Sequence, residues 1–180
     1  MVAGNTRTDG IMVRQARESD IPVLVDFLVK LAVHVGGGAP RTPKRKEKKR
    51  LRGLVASALA GDDKLMVVAE DSNAQLVGMG HIYIWRSQSI WEQFGDLELR
   101  SGIIDDIWVE PEYRGMGVFH AMLRELVSFA EDLEVGELIL EYSLSNREAE
   151  ATWSKLGFKP TGVRAAAFTS TVKKALSKAK

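Results

Sequence analysis

Apolar and polar positions along the chain repeat with two periods, and each change of period marks an element. Residues 11–15 alternate weakly and read as a first strand. Ser19 or Asp20 then caps a helix with Pro22 in its first turn and Leu24, Phe27, Leu28, Leu31 and Val35 as its buried stripe. Gly36, Gly37 and Gly38 end that helix, and Pro40 and Pro43 keep the following connection extended. Leu51, Leu54, Val55, Ala58 and Leu59 recur at helical spacing and give a second amphipathic helix. Residues 65–69 and 76–85 are strand-like runs parted by Asp71-Ser72-Asn73, a hairpin signal. From 86 to 101 there is no clear period, although Ile90, Trp91 and Phe94 are apolar, so this stretch is a candidate substrate-side loop.

The remainder predicts a strand over 103–109, a helix from about 117 to 133, a strand over 137–142, a helix from about 147 to 156 and a last strand after Gly157. Val118, Met122, Leu126, Phe129 and Leu133 supply the buried stripe of the first of these helices. The order β-α-α-β-β-β-α-β-α-β predicts an α/β fold, a mixed, mainly antiparallel central sheet flanked by helices. A single domain is expected over 11–169, with 1–10 a disordered lead-in and 170–180 a basic C-terminal tail.

Composition narrows the chemistry. With 180 residues, 45% of them hydrophobic and 27% charged, the chain is of ordinary globular type. It contains no cysteine, which excludes disulfides, thiolate metal sites and cysteine nucleophiles. His34, His81 and His120 lie far apart with no ligand-like spacing, so no metal is expected. No apolar run approaches a membrane span and the N-terminus has no secretory core, so a cytoplasmic protein is expected. The net charge is +1, yet the stretch 44–52 holds seven basic residues against Glu47 alone. Because the second helix's apolar stripe follows directly, that run reads mainly as its solvated start, and nucleic acid is not an expected partner.

The most informative segment follows the strand that ends at Val109. It reads Glu110-Pro111-Glu112-Tyr113-Arg114-Gly115-Met116-Gly117-Val118-Phe119 and runs into a strongly periodic helix. A glycine-bearing turn between a strand and a helix N-terminus leaves backbone N–H groups pointing outward, the physical requirement for holding a pyrophosphate. Two alternatives fail on spacing: no Gly-Lys-Ser/Thr follows Gly117, and His120 stands where a dinucleotide fingerprint needs glycine.

The run 107–119, an apolar strand followed by Pro-Glu-Tyr-Arg-Gly-x-Gly, resembles the acetyl-CoA signature of the GNAT superfamily of N-acetyltransferases. A second stretch, 146–158, resembles that family's closing helix, Asn-x-x-Ala-x-x-x-Tyr-x-Lys-x-Gly-Phe. The resemblance covers roughly 11–168. It implies acetyl-CoA as acyl donor, held by Ile107, Trp108 and Val109 along the strand, by Arg114, Gly115, Met116, Gly117, Val118 and Phe119 in the loop, and by Asn146 and Trp153. It also implies direct transfer of acetyl to a primary amine on a small molecule or a protein, with no acyl-enzyme. The strand ending at Trp108 and Val109 should splay from the one ending near Tyr142, leaving a groove for pantetheine.

Asp105 and Asp106 are the candidate bases for deprotonating the amine. Strict alternation places Asp105 with Ile103, Ile107 and Val109, and Asp106 with Ile104 and Trp108, so only one should face the groove. The resemblance favours Asp105. His81, Tyr83 and Trp85 share one strand face, read here as an ordinary half-buried one. The family's acid, a tyrosine, is Trp153 in this chain, and an indole N–H is too weak an acid to replace it. Tyr142, Tyr113 or water is then left to protonate the thiolate. Phe119 departs from the family's small residue. The alternatives to an enzyme are a non-catalytic acyl-CoA-binding module and a nucleic-acid-associated protein using the 44–52 run. Oligomeric state, homodimer included, stays open.

Overall fold

The near-continuous apolar run at 65–69 becomes the middle of a sheet, because a strand buried on both faces needs apolar side chains at every position. In the computed structural model, which describes residues 6–8, 10–37, 42–86, 100–163 and 165–178, this strand is β3 (Lys64–Glu70), buried throughout from Leu65. β1 (Thr6–Thr8) and β2 (Ile11–Gln15) precede it, and β4 (Leu76–Arg86), β5 (Arg100–Val109) and β6 (Glu137–Leu140) follow. The six form one sheet in the order β1-β2-β3-β4-β5-β6, with every neighbouring pair antiparallel except the parallel β5 and β6. The expected mixed, mainly antiparallel α/β architecture is therefore what forms.

Two helices, α1 (Ile21–Gly36) and α2 (Arg45–Leu59), cover one face of the sheet. Leu24, Val25, Phe27 and Val55 pack there against Met66, Val68, Met79 and Trp108. Burial of one such side chain contributes about 1.5–3 kcal/mol. α1 stops at Gly37, whose φ of +59° is the left-handed conformation a non-glycine residue rarely adopts. The other face is covered by α3 (Val118–Asp132), which comes so close that a Cβ on Gly80 would meet Leu126 at 3.2 Å. A side chain at Gly80 would therefore press on Leu126 and crowd the helix-to-sheet contact.

A buried ionic knot ties β2, β3 and the start of α1. Arg14 donates to both oxygens of Asp20, at 2.7 and 3.1 Å, and to Glu70. Asp20 occupies the expected cap position of α1, but its carboxylate accepts from Arg14 and from the Arg17 N–H at 2.8 Å instead of from the helix's own amides.

The structure departs from the sequence reading in three places. Thr6–Thr8, placed in a disordered lead-in, pairs antiparallel with β2. No strand follows Gly157 among the described residues: residues 158–163 and 165–168 are irregular, and Thr169–Lys178 forms a helix, α5, where a basic tail was expected. Pro160 lacks a ladder donor and Gly162 has no side chain to pack, which disfavours a strand there. The chain clusters into two compact units, Met1–Glu141 and Tyr142–Lys180. Most of the expected substrate-side loop, 87–99, and part of the 36–44 connection, 38–41, lie outside the described residues. No helix among the described residues is long and apolar enough to cross a membrane.

Candidate functional site

The site begins with a fault in the pairing of β4 and β5. Met79 faces Trp108, but the next matched pair is His81 and Asp105, so Gly80 alone stands opposite both Asp106 and Ile107. The extra residue is a β-bulge, which re-aims side chains. Asp106 takes up the irregularity with φ of +36°, a conformation that Asp tolerates better than most residues but that still costs on the order of 1–3 kcal/mol. Its N–H donates to the Asp105 carboxylate at 3.1 Å.

This bulge corrects the alternation argument. Asp105 lies opposite His81, and Trp108 opposite Met79 on the face covered by α1, while Ile107 lies beside Gly80 on the α3 face. Asp105 is therefore not grouped with Ile107 and Val109. The carboxylates of Asp105 and Asp106 and a ring nitrogen of His81 all lie within 4.8 Å of one another, so both acids share one site. Burial, then the neighbouring Asp105 charge, pushes Asp106 up to about 6. Burial lowers His81, against the opposing pull of Asp105 and with a further lowering by Lys64. The Nε2 of His81 is buried with no hydrogen-bond partner among the described residues. A histidine and two carboxylates at this separation form a donor set that can move a proton and is also of metal-ligand type.

The second feature lies on the other edge of β5. Its parallel pairing with β6 ends at Ile104 and Leu140. From Asp105 to Val109 no strand among the described residues pairs with that edge, so its backbone groups lack a ladder partner there, as an amide-bearing ligand would need. The β5–β6 ladder thus ends just before the first of the two acids.

Beyond Val109 the chain makes a single 3₁₀ turn, Pro111–Tyr113, and then a turn in which Gly115 and Gly117 have φ of +77° and +81°. The α3 ladder opens with Ala121 donating to Gly117 at 3.0 Å. The first turn of α3, Val118 to His120, sits at the positive end of the helix dipole. Tyr113 pins the turn by donating its hydroxyl to Asp71 at 2.8 Å, and that bond is the main cause of its raised pKa. Arg114 donates Nε to the Val109 carbonyl at 3.2 Å and lies over the Trp108 ring at 5.1 Å.

Residues 38–158 match the acetyltransferase (GNAT) family. The chain belongs to the GNAT family. A candidate ribosomal protein bS18-alanine N-acetyltransferase of Bacillus subtilis is 32% identical over 73 residues, 41% of this chain and 48% of the relative. The match thus spans about half the length of that curated relative. A predicted acetyltransferase of Clostridium acetobutylicum, solved with acetyl-CoA, superposes with a TM-score of 0.69 at 24% identity, covering 88% of this chain and 96% of that one. Glucosamine-6-phosphate N-acetyltransferase of Arabidopsis thaliana superposes with a TM-score of 0.64 at 18% identity, covering 89% and 99%. At these identities the likeness is one of fold.

Within this GNAT chain the residues named from sequence separate into groups. Asp105 and Asp106 come together with His81, which sequence reasoning had left on an ordinary sheet face. Ile107, Trp108, Val109, Arg114, Gly115, Met116, Gly117, Val118 and Phe119 form one continuous strand, turn and helix start. Trp108 and Val118 are buried in the core, so only their backbone is open to a ligand, whereas Met116 is exposed. Phe119 is half-buried and meets His120 edge-on at 5.3 Å. Tyr142, Asn146 and Trp153 belong to the second unit. There Asn146 caps α4 (Arg147–Lys155) by accepting from the Ala149 N–H at 3.1 Å, and Trp153 packs edge-on against Phe158 at 5.2 Å. No sequence signal marks the His81 contact, because it depends on the register across the bulge.

Proposed function

We propose that the chain is an acetyl-CoA-dependent N-acetyltransferase acting on a primary amine by direct attack, in the cytoplasm and without a metal. The observation that carries this reading is the end of the β5–β6 ladder just before Asp105, on the same strand that leads into the glycine turn before α3. The open edge suits the amides of pantetheine, and the first amides of α3 suit the pyrophosphate. When bound, acetyl-CoA supplies the acetyl group as a thioester.

This chain's part is to position and to move protons. An ammonium acceptor must lose a proton before it attacks, and such help is worth about 10² to 10⁴ in rate. Asp105 and Asp106 are assigned that role, and the raised pKa of Asp106 places its proton affinity near neutral pH. Trp153 cannot supply the proton the CoA sulfur needs, so Tyr142 or water is assigned it. Among the relatives, one name specifies a ribosomal protein alanine and another glucosamine-6-phosphate, so the acceptor is proposed only as a primary amine, small-molecule or protein. Trp153 also favours a second reading, a module that binds acyl-CoA without turning it over. Acetyl-CoA binding with no thiol release across a broad amine panel would select that module.

Calorimetry with acetyl-CoA tests the cofactor site. Gly117→Glu puts a carboxylate and a Cβ where φ is +81°, at the mouth of the helix. Binding is expected to be lost while the circular dichroism spectrum is retained. Unchanged affinity would overturn the assignment of the turn.

A further inference from the structure

His81 sits mid-strand in β4 with Nε2 buried and, among the described residues, unpartnered. Leaving such a group unpaired costs about 1–3 kcal/mol, so the position calls for an explanation in terms of what the ring does. Three observations converge on it. The bulge places Asp106 beside the ring although Asp106 is not its register partner. Asp106 is held in a strained left-handed conformation, and such strain gathers at working sites. The three side chains also grade in exposure, with Asp105 exposed, Asp106 half-buried and the His81 nitrogen buried.

We propose that His81 and Asp106 form a proton relay: Asp106 takes a proton from the acceptor's ammonium and passes it to His81, and Asp105 returns it to water. This deepens the acetyltransferase reading and rests on it. The step balances: one N–H proton of the ammonium goes to Asp106, and the nitrogen lone pair forms the C–N bond as the C–S bond breaks. The second N–H proton goes to the CoA sulfur. His81 acts through Asp106 and is therefore a positioning residue.

The environment suits a relay, because burial acts on the two groups in opposite directions. It lowers His81 from 6.5 and raises Asp106 to about 6, so their proton affinities approach one another and a proton passes between them at small cost. Among the described residues, the titratable and charged groups beside His81 are Asp105 and Asp106 on β5, Lys64 on β3 and Tyr83 on its own strand, whose ring lies 5.8 Å away.

Ring NMR of His81 in the full chain between pH 4 and 9 tests the coupling without any substrate. The expected result is a two-step titration whose step near pH 6 disappears in Asp106→Asn. A single step, unchanged by that substitution, overturns the relay. Stoichiometric Zn²⁺ or Mn²⁺ binding that shifts the same resonances also overturns it and makes the cluster a metal site. Kinetics add a second arm: His81→Gln is expected to bind acetyl-CoA within about twofold of wild type. It should release thiol at least about tenfold more slowly with a panel of primary amines that includes a peptide with N-terminal alanine, and added imidazole should restore the rate. An unchanged rate, or a loss that imidazole does not restore, counts against the relay. If the wild-type chain fails to bind acetyl-CoA, the acetyltransferase reading falls, and the ring titration still decides whether His81 and Asp106 share a proton.

Discussion

Asp106 joins stability and function at a single residue. Its folded pKa of about 6 stands above the ordinary 3.8, so the sign of the linkage is set. Below pH 4 the carboxyl is protonated whether the chain is folded or not, and nothing is lost. Between 4 and 6 the unfolded chain releases its proton first and the folded state loses ground. Above 6 the full cost, at most about 3 kcal/mol, is present. Asp106→Asn, which tolerates the same positive φ, is therefore expected to raise stability by about 1–3 kcal/mol at pH 8 and by little at pH 4, as read from urea midpoints at the two pH values. An equal gain at both would mean that ionisation is not what burdens the site. Gaining stability while losing a candidate base is the usual trade at a working residue. The two acids were legible in the sequence as charges in an apolar strand. Which face each takes was not legible, because one extra residue in a strand reverses every side chain beyond it.

At the scale of elements, the strand, turn and helix around the two glycines were readable because each step has a local cause. β5 is apolar at its end, Gly115 and Gly117 provide positive φ, and α3 carries an unbroken apolar stripe. What sequence could not show is how the turn is held. Tyr113 reaches Asp71 in the turn between β3 and β4, 42 residues earlier. Tyr113→Phe should free the turn and weaken acetyl-CoA binding by about two- to tenfold, with little change in melting temperature. Calorimetry beside a thermal melt checks this, and unchanged affinity would mean that the glycines alone define the turn. The misread elements are the least periodic ones. Thr6–Thr8 is too short to show alternation and forms a strand only by pairing with β2, and the segment after Gly157 is broken by Pro160 and Gly162.

Across the whole molecule, the fold depends on joining segments that are distant in the chain. Arg14 contacts Asp20 and Glu70 with all three residues buried, so its removal leaves two buried carboxylates without their guanidinium partner. Arg14→Ala should destabilise the protein by about 3–5 kcal/mol in denaturant titration. Burial alone would raise Asp20, but the Arg14 side chain and the Arg17 N–H outweigh it and hold Asp20 below its ordinary range. With a lowered folded pKa, that contribution is present above about pH 4 and is lost as the pH falls through the folded value. Acid sensitivity should accordingly be blunted in Arg14→Ala, and an unaltered acid limb would remove the knot from the account. The sequence by itself determined the element types, the mixed α/β class, the pyrophosphate-type turn and the family resemblance, because periodicity, caps and glycine positions act within a few residues. Tertiary structure alone decided that the β5–β6 ladder ends just before Asp105, that the bulge falls opposite Gly80, and that His81 meets both acids. Those depend on register and helix packing, which arise from contacts between residues far apart in the chain.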